Sequence, residues 1–294
     1  MPAPSSTKIS AKVREAAVAG MFYPKEPQAL SQMIDTLLAR ARVDAVGDLK
    51  AVICPHAGYQ YSGFTAAHGF KLLAGRDIKT VILLSPSHYA MFRGAFVTSA
   101  NVYRTPLGDA KVSPLAARLA GLPPFTSNPQ ALVQRPDWWQ QSGAKAPPPG
   151  QDTPETWEHS GEVEVPFLQK VLPQAELVPV LFGDVDPAQA AQALAGLLDD
   201  QTVIVASSDL SHYHPYDEAR VLDNRCIQNV LDLKPDITPE AACGAGPIDT
   251  VINLARRKGW KPVLLDYRNS GDATGNKSGG VVGYAAIAFF APEK

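Results

Sequence analysis

Hydrophobic positions along the chain form short continuous runs that are rich in Val and Ile. They do not alternate with polar residues, as they would in a strand with one face in water. Continuous apolar runs of this length predict strands that are covered on both faces, as in a mainly parallel sheet. The runs are AVIC (51–54), TVILLS (80–85), ELVPVLF (176–182), TVIVAS (202–207), PVLLDY (262–267) and VVGYAAIAFF (281–290).

The segments between these runs predict helices. Residues 26–42 place Leu30, Ile34 and Leu37 on one helical face, which indicates an amphipathic helix. Because strands and helices alternate along the chain, we expect an α/β fold with a central, mostly parallel sheet and helices on both faces. The other predicted helices cover residues 63–75, 111–121, 187–199, 216–232 and 247–258.

One stretch, residues 123–157, interrupts the alternation. It holds eight of the 26 prolines and three of the four tryptophans, so neither a regular helix nor a central strand fits it. A loop of this length is either a linker or an ordered excursion, and the tryptophans favour order. We therefore expect an insertion within a single domain spanning 1–294, with a flexible leader at 1–10.

Composition narrows the class of protein. The 294 residues are 45% hydrophobic and 19% charged, with a net charge of −2 and no basic run. This balance argues against nucleic-acid and membrane-surface partners, and no apolar run is long enough to span a bilayer. The N-terminus lacks a secretory signal, and three cysteines without a CxxC pair fit a reducing cytoplasm. No nucleotide-phosphate motif is present, so no nucleotide cofactor is expected.

Histidines cluster where predicted strands end. The run at 51–54 leads to His56, the run at 80–85 leads to His88, and the run at 202–207 leads to Asp209, His212 and His214. A single loop histidine is usually structural or solvated, and Asp209 with His212 could form a catalytic dyad instead. However, ligands collect at the carboxyl ends of parallel strands, and three coincident ends favour one shared metal site.

Cys243 is the candidate for a third ligand. It lies just before a predicted helix in AACGAGPIDTVINLA, where the positive end of the helix dipole favours the thiolate. The alternative is a small buried residue, which a free cysteine commonly is. In EHSGEVEVPFLQ, His159 and Glu162 either line a pocket rim or accompany Ser160 as a helix N-cap.

Several motifs together resemble the MEMO1 family, in particular the bacterial and archaeal AmmeMemoRadiSam system protein B. The resemblance implies a fold like that of the LigB-like class III extradiol dioxygenases, with metal ligands at His56, His88 and Cys243. It also implies pocket residues at Asp209 and His212, with His212 as the acid/base. The motifs are AVAGMFYPKEPQAL (17–30), ICPHAGYQYSG (53–63), LLSPSHY (83–89), TPLGD (105–109), EHSGEVEVPFLQ (158–169), SSDLSHY (207–213), CGAGPI (243–248) and SGD…VVGYAA (270–286).

The function implied by this resemblance is that of a nonheme metal-binding redox protein. Fe(II) is the first expectation and copper the second, with dioxygen or a small molecule as substrate. The dioxygenases hold Fe(II) with two histidines and a carboxylate, whereas the matching position here is Cys243. A thiolate is softer than a carboxylate and can itself be oxidised, which argues against catechol ring cleavage. A zinc hydrolase remains a third alternative.

A non-catalytic adaptor is the alternative from another class. In this hypothesis a dioxygenase-like pocket rimmed by Tyr59, Tyr61, Trp157 and His159 binds a peptide or a protein. The family's namesake is associated with signalling partners. The name of the bacterial branch implies a functional link to a radical SAM protein and an AMMECR1-like protein.

Overall fold

The computed structural model describes residues 12–44, 47–143, 146–148 and 150–292. The predicted leader at 1–10 lies outside them. The strands are β1 Val13–Arg14, β2 Leu49–Cys54, β3 Thr80–Pro86, β4 Ala90–Met91, β5 Ala95–Val97, β6 Val102–Thr105, β7 Gly108–Lys111, β8 Phe125–Thr126, β9 Leu132–Val133, β10 Glu176–Phe182, β11 Thr202–Ser207, β12 His212–Pro215, β13 Lys261–Asn269 and β14 Gly280–Phe290. The helices are α1 Pro27–Arg40, α2 Gly63–Lys71, α3 Leu115–Ala120, α4 Trp139–Ser142, α5 Val165–Val171, α6 Pro187–Ala195, α7 Tyr216–Leu231, α8 Ala245–Lys258 and α9 Ser270–Thr274, with a 3-10 turn at Glu162–Glu164.

The main sheet has the strand order β12-β14-β2-β11-β3-β10-β5-β8, and β13 pairs with β14. The four central strands, β2, β11, β3 and β10, are parallel, as predicted. The last two predicted strands, in contrast, are antiparallel: β14 runs against both β2 and β13. A short connection through α9 joins β13 to β14, and a short connection permits only antiparallel pairing. The sheet as a whole is therefore mixed.

Helices cover both faces of the central strands, as the continuous apolar runs predicted. Ile53 and Ile82 point to a core shared with α3, α6, α7 and α8. Their neighbours Val52 and Leu83 point to the opposite core, which α1, α2 and α5 complete. Successive strand residues face opposite sides, so burial on both sides requires an apolar residue at every position. The prediction is wrong for the run at 262–267, because among the described residues β13 pairs only with β14 and leaves Val263 40% and Leu264 39% exposed.

The predicted helix at 111–121 starts later than expected. Residues 108–111 form β7, which pairs with β6, and α3 begins at Leu115, directly after Pro114. Pairing with a neighbouring strand therefore overrides the helical spacing in the first residues of that segment. None of the helices in the described residues has the length and apolar content needed to cross a bilayer.

The described part of the 123–157 stretch is ordered against the body of the protein. Its short strands β8 and β9 pair with β5 and β4. The indole of Trp138 donates a hydrogen bond to the hydroxyl of Tyr89 (3.1 Å), and that of Trp157 donates to Asp152 (2.8 Å). Since Tyr89 directly follows His88, this stretch packs beside one of the predicted metal ligands.

A buried ion pair ties strand β1 to the segment that precedes α5. The guanidinium of Arg14 contacts the carboxylate of Glu162, and both side chains are almost fully buried. Arg14 also donates to the backbone carbonyls of Glu155 and Glu158. The Glu162 carboxylate accepts further hydrogen bonds, including one from the hydroxyl of Tyr23. Arg14 thereby holds residues 155–162 in one position.

We expect Arg14→Met to lower the free energy of unfolding by about 3–5 kcal/mol, because Glu162 would stay buried without its cation. Urea unfolding measures this loss. The control is Arg104→Met, since Arg104 forms its ion pairs in water and its loss should cost no more than about 1 kcal/mol. Equal losses for the two variants would contradict the prediction.

Candidate metal centre

The three predicted metal ligands meet at one edge of the sheet. His56 follows β2, His88 follows β3, and Cys243 lies two residues before α8. The ligand atoms of these residues all lie within 4.8 Å of one another, and Cys243 Sγ is 3.4 Å from His56 Nε2. β2 and β3 both pair in parallel with β11, so their carboxyl ends share this edge. The structure thus brings two imidazoles and a thiol to a common point.

Each of the two histidine rings has a hydrogen-bond partner on the side away from this point. His56 Nδ1 lies 2.7 Å from Ser207 Oγ, and His88 Nδ1 lies 2.9 Å from a carboxylate oxygen of Glu158. Metal-ligating histidines almost always engage their second nitrogen in this way, because the bond fixes both tautomer and ring orientation. The donor set and its outer partners fit a transition-metal ion.

Glu158 is a residue of the candidate site that was not predicted from the sequence. Its carboxylate accepts hydrogen bonds from the ring and the backbone N–H of His88, and from the backbone N–H groups of His159 and Ser160. Burial alone would raise the pKa of this carboxyl, but His88 and the other donors hold the pKa well below its usual range. Its place next to His159 in EHSGE was the only available clue, since its partner His88 lies 70 residues earlier.

Burial sets the pKa shifts of two proposed ligands, His56 and Cys243, whereas the pKa of His88 is raised well above its usual value because Glu158 and Cys243 outweigh burial. Burial holds the pKa of His56 well below the usual value, and the neighbouring histidines add to this effect. Burial also raises the pKa of the Cys243 thiol, although His88 opposes the shift. Burial therefore opposes the thiolate form that the helix dipole is expected to favour at Cys243. A bound cation would supply the missing stabilisation, since a coordinating thiol is deprotonated.

His159 lies against both histidine ligands. Its ring stacks on that of His88 with 4.7 Å between centroids, and it meets the ring of His56 edge-on at 5.5 Å. Burial lowers the pKa of His159 to about 4, so the ring is neutral near pH 7. Its Nδ1 is buried 3.4 Å from Oε1 of Glu158 and makes no hydrogen bond among the described residues. A neutral imidazole beside the Glu158 carboxylate thus forms part of the site wall.

Asp209 and His212 both lie at the site, but they do not pair with each other. Asp209 accepts hydrogen bonds from the backbone N–H groups of His56 (2.9 Å) and Ala57 (3.3 Å), and burial raises its pKa to about 7. The ring of His212 is hydrogen-bonded instead to the carbonyl of Leu210 through Nδ1, at 2.8 Å. Burial lowers the pKa of His212. The dyad of Asp209 and His212 that the sequence left open is therefore not formed, because the Asp209 carboxylate bonds to the backbone at the end of β2.

Three of the predicted rim residues are almost fully buried, although two of them line cavities: Tyr59 lines one of about 620 Å³ and Trp157 lines one of about 410 Å³. Tyr59 is buried and donates its hydroxyl proton to the carbonyl of Val163, and Trp157 is 1% exposed. The carboxylate of Glu162 forms the buried ion pair with Arg14. The polar atoms of these three residues are therefore paired inside the protein, and a part for them in substrate or partner binding stays a prediction.

Two further residues belong to the same predictions. Tyr61 is 38% exposed and lines a cavity of about 620 Å³ with Arg40, Phe64 and Arg268. Ser160 is not a helix cap, since its hydroxyl donates to the carbonyl of Pro86.

Comparison with known proteins identifies similar sequences over most of the chain. A family profile described as "Memo-like protein" matches residues 14–133 and 148–288. The unmatched residues 134–147 lie within the proline- and tryptophan-rich stretch. A MEMO1 family protein of Aeropyrum pernix is 34% identical over 300 residues, covering 94% of this chain and 99% of the relative. The corresponding protein of Methanopyrus kandleri is 34% identical, with 94% and 98% covered, and that of Sulfurisphaera tokodaii is 31% identical, with 94% and 99% covered.

Close packing around Gly244 keeps Cys243 at the site. A Cβ atom on Gly244 would lie 2.5 Å from both the Ser207 carbonyl oxygen and the Ser208 Cβ. Only a glycine fits between α8 and the end of β11 at this position. Gly196, at the end of α6, has open space around it and an ordinary helical backbone.

We expect Gly244→Ala to lower the free energy of unfolding by about 1–3 kcal/mol, because the added methyl group would displace the backbone next to Cys243. Gly196→Ala is the matched control and should be neutral or stabilising by up to about 1 kcal/mol. Urea unfolding of the two variants provides the measurement. A Gly244→Ala protein as stable as the control would show that the packing is looser than the structure indicates.

Proposed function

The chain belongs to the MEMO1 family of Memo-like proteins, and on that premise we propose that it is a metal-binding redox protein. The ligands would be His56, His88 and Cys243. The observation that carries this proposal is the convergence of their donor atoms within 4.8 Å, with the outer nitrogen of each histidine ring already engaged.

Fe(II) is the metal we propose first, with copper second. The site resembles the two-histidine, one-carboxylate arrangement of nonheme iron oxygenases, with a thiol in place of the carboxylate. The thiol also suits Cu(I) and Zn²⁺, and a zinc hydrolase would show tight Zn²⁺ binding without redox activity. When bound, a redox-active metal with open positions would supply binding of dioxygen or a small substrate, together with electron transfer.

The residues around the ligands have distinct proposed roles. Glu158 orients His88 through its Nδ1–H and leaves Nε2 free for the metal. His212 donates Nδ1–H to Leu210, so its Nε2 carries a lone pair able to accept a proton from a substrate. His159, neutral and stacked on His88, would form a wall of the pocket that receives the substrate. Asp209 fixes the loop after β2 and would not take part in proton transfer through His212.

A non-catalytic binding protein is the second candidate function. Met91 and Leu132 lie opposite each other on β4 and β9, and both side chains are 72% exposed. They line a cavity of about 880 Å³ that extends to Ser87, next to His88. An exposed apolar pair beside a cavity favours peptide or protein binding. The AMMECR1-like and radical SAM partners stay predictions, to be tested by co-purification.

Dioxygen uptake separates the two candidates. For a redox enzyme, we expect the metal-loaded protein to consume dioxygen in the presence of a reductant, and His88→Ala to abolish this consumption because it removes a ligand. The control is His214→Ala, which alters an exposed histidine paired with Glu218. Uptake that is equal in the two variants would contradict a catalytic role for the site.

Metal binding itself is the most direct test. In an anaerobic titration with Fe(II), and separately with Cu(I), we expect the wild-type protein to bind one equivalent. His56→Ala and Cys243→Ala should each lose stoichiometric binding, since two protein ligands hold a metal poorly compared with three. Inductively coupled plasma analysis of the desalted protein quantifies the bound metal.

The matched controls replace the same residue types away from the site. His214→Ala changes an exposed histidine, and Cys226→Ala changes a cysteine buried in α7. Both should bind metal like the wild type. If the wild-type protein binds neither metal, or if Cys243→Ala binds as well as Cys226→Ala, the proposed ligand set is wrong.

A further inference from the structure

The hydroxyl of Ser207 has three polar neighbours. Ser207 is the last residue of β11 and is fully buried. Its Oγ lies 2.6 Å from the carbonyl oxygen of Ser160, 2.7 Å from Nδ1 of His56 and 2.9 Å from Oε1 of Glu164. Glu164, directly before α5, is also fully buried. Ser207 therefore connects a proposed metal ligand to an interior carboxyl group.

Counting protons assigns the direction of all three hydrogen bonds. A serine hydroxyl donates one hydrogen bond and accepts two. The carbonyl of Ser160 can only accept, and it is the nearest of the three groups, so the single proton of Ser207 points to it. The other two neighbours must then donate to Oγ. For His56 the donor is Nδ1–H, and for Glu164 the only proton available is that of a carboxylic acid.

We propose that Glu164 is a neutral carboxylic acid that donates its proton to Ser207 and so acts as a positioning residue for His56. With two donors directed at its oxygen, Ser207 accepts the Nδ1–H of His56 and cannot donate to that nitrogen. The tautomer of His56 then has its lone pair on Nε2, the nitrogen that faces Cys243. This inference goes beyond the proposed function, and only its consequence for metal affinity depends on a metal being bound.

The alternative, an ionised Glu164, leaves two buried oxygens without partners. The proton of Ser207 would then turn to the carboxylate, and the Ser160 carbonyl would lose its hydrogen bond. The second oxygen, Oε2, is buried and has no hydrogen-bond partner in the part of the chain that the structure describes. An unpaired oxygen is costly for a carboxylate and far less costly for the C=O of a neutral acid.

The surroundings of Glu164 also oppose a negative charge. Among the described residues, the titratable groups that interact with it are Asp209, Cys54 and Tyr59, and all three are acids. None of them can supply a compensating positive charge. Burial, together with Asp209, raises the pKa of Glu164 well above its usual value, although the hydrogen bond with Ser207 opposes the shift.

The two proposed histidine ligands therefore have outer partners of different charge. His88 donates to Glu158, whose carboxylate receives several N–H groups and is ionised. His56 donates to a neutral serine supported by a neutral acid. Removing the charge of Glu158 should weaken metal binding, whereas replacing Glu164 with a neutral side chain of the same shape should not.

Infrared spectroscopy of the metal-free protein tests the proton on Glu164. We expect the difference spectrum of wild type minus Glu164→Gln, recorded near pH 7, to contain the C=O stretch of a protonated carboxylic acid. Other buried acids with raised pKa values, such as Asp209, cancel in this difference. The matched control is wild type minus Glu158→Gln, which should contain carboxylate bands only. Carboxylate bands in the Glu164→Gln difference would overturn the proposal.

Metal titration tests the positioning role. Glu164→Gln keeps an N–H donor for Ser207 and should bind Fe(II) with wild-type affinity, whereas Glu164→Leu, which has no donor, should bind more weakly. Glu158→Gln should weaken binding by about 10–100-fold. A loss in Glu164→Gln as large as in Glu158→Gln, or a Glu164→Gln protein that fails to fold by circular dichroism, would count against the proposal. If the wild-type protein binds no metal, the proposed function fails, and the infrared result still decides the state of Glu164.

Discussion

Parallel pairing of β2, β11 and β3 is the constraint on which the candidate site depends. The register places Ser207 beside Cys54 at the ends of β11 and β2, and it aligns β3 on the other side of β11. The loops that carry His56 and His88 therefore leave the same edge of the sheet. α8 packs on this part of the sheet, and Gly244 allows the close approach that positions Cys243. Without this pairing the three proposed ligands, separated by up to 187 residues, would not meet.

The second requirement is a rigid outer layer behind the ligands. The segment 155–164 supplies most of it, since it carries Glu158, His159 and Glu164 into the site. Arg14, on a two-residue strand near the start of the described chain, holds the carbonyls of this segment and pairs with Glu162. The ion pair of Arg14 with Glu162 thus also holds the segment that carries Glu158 to the candidate site. An N-terminal element with no ligand of its own contributes to the geometry of the proposed centre.

The predictions that differ from the structure share one cause. A motif shows that residues are close along the chain, but it does not show which way each side chain points. Tyr59 and Trp157 belong to segments next to the site, yet their side chains enter the core. Asp209 and His212 are three residues apart, and each is hydrogen-bonded to a different part of the backbone. Glu158 escaped notice because its importance comes from His88, a residue distant in sequence.

The sequence alone determined the central parallel strands and their burial, since a run such as TVIVAS is apolar at every position only when both faces are covered. It also placed His56, His88 and the segment 207–214 at strand ends, which makes a shared site a consequence of parallel pairing. Only the tertiary structure decided which nitrogen of each histidine faces Cys243, and that Glu158 and Glu164 support the rings from behind. Protonation and ring orientation depend on burial and on hydrogen bonds between distant segments, and the local pattern of residues contains neither.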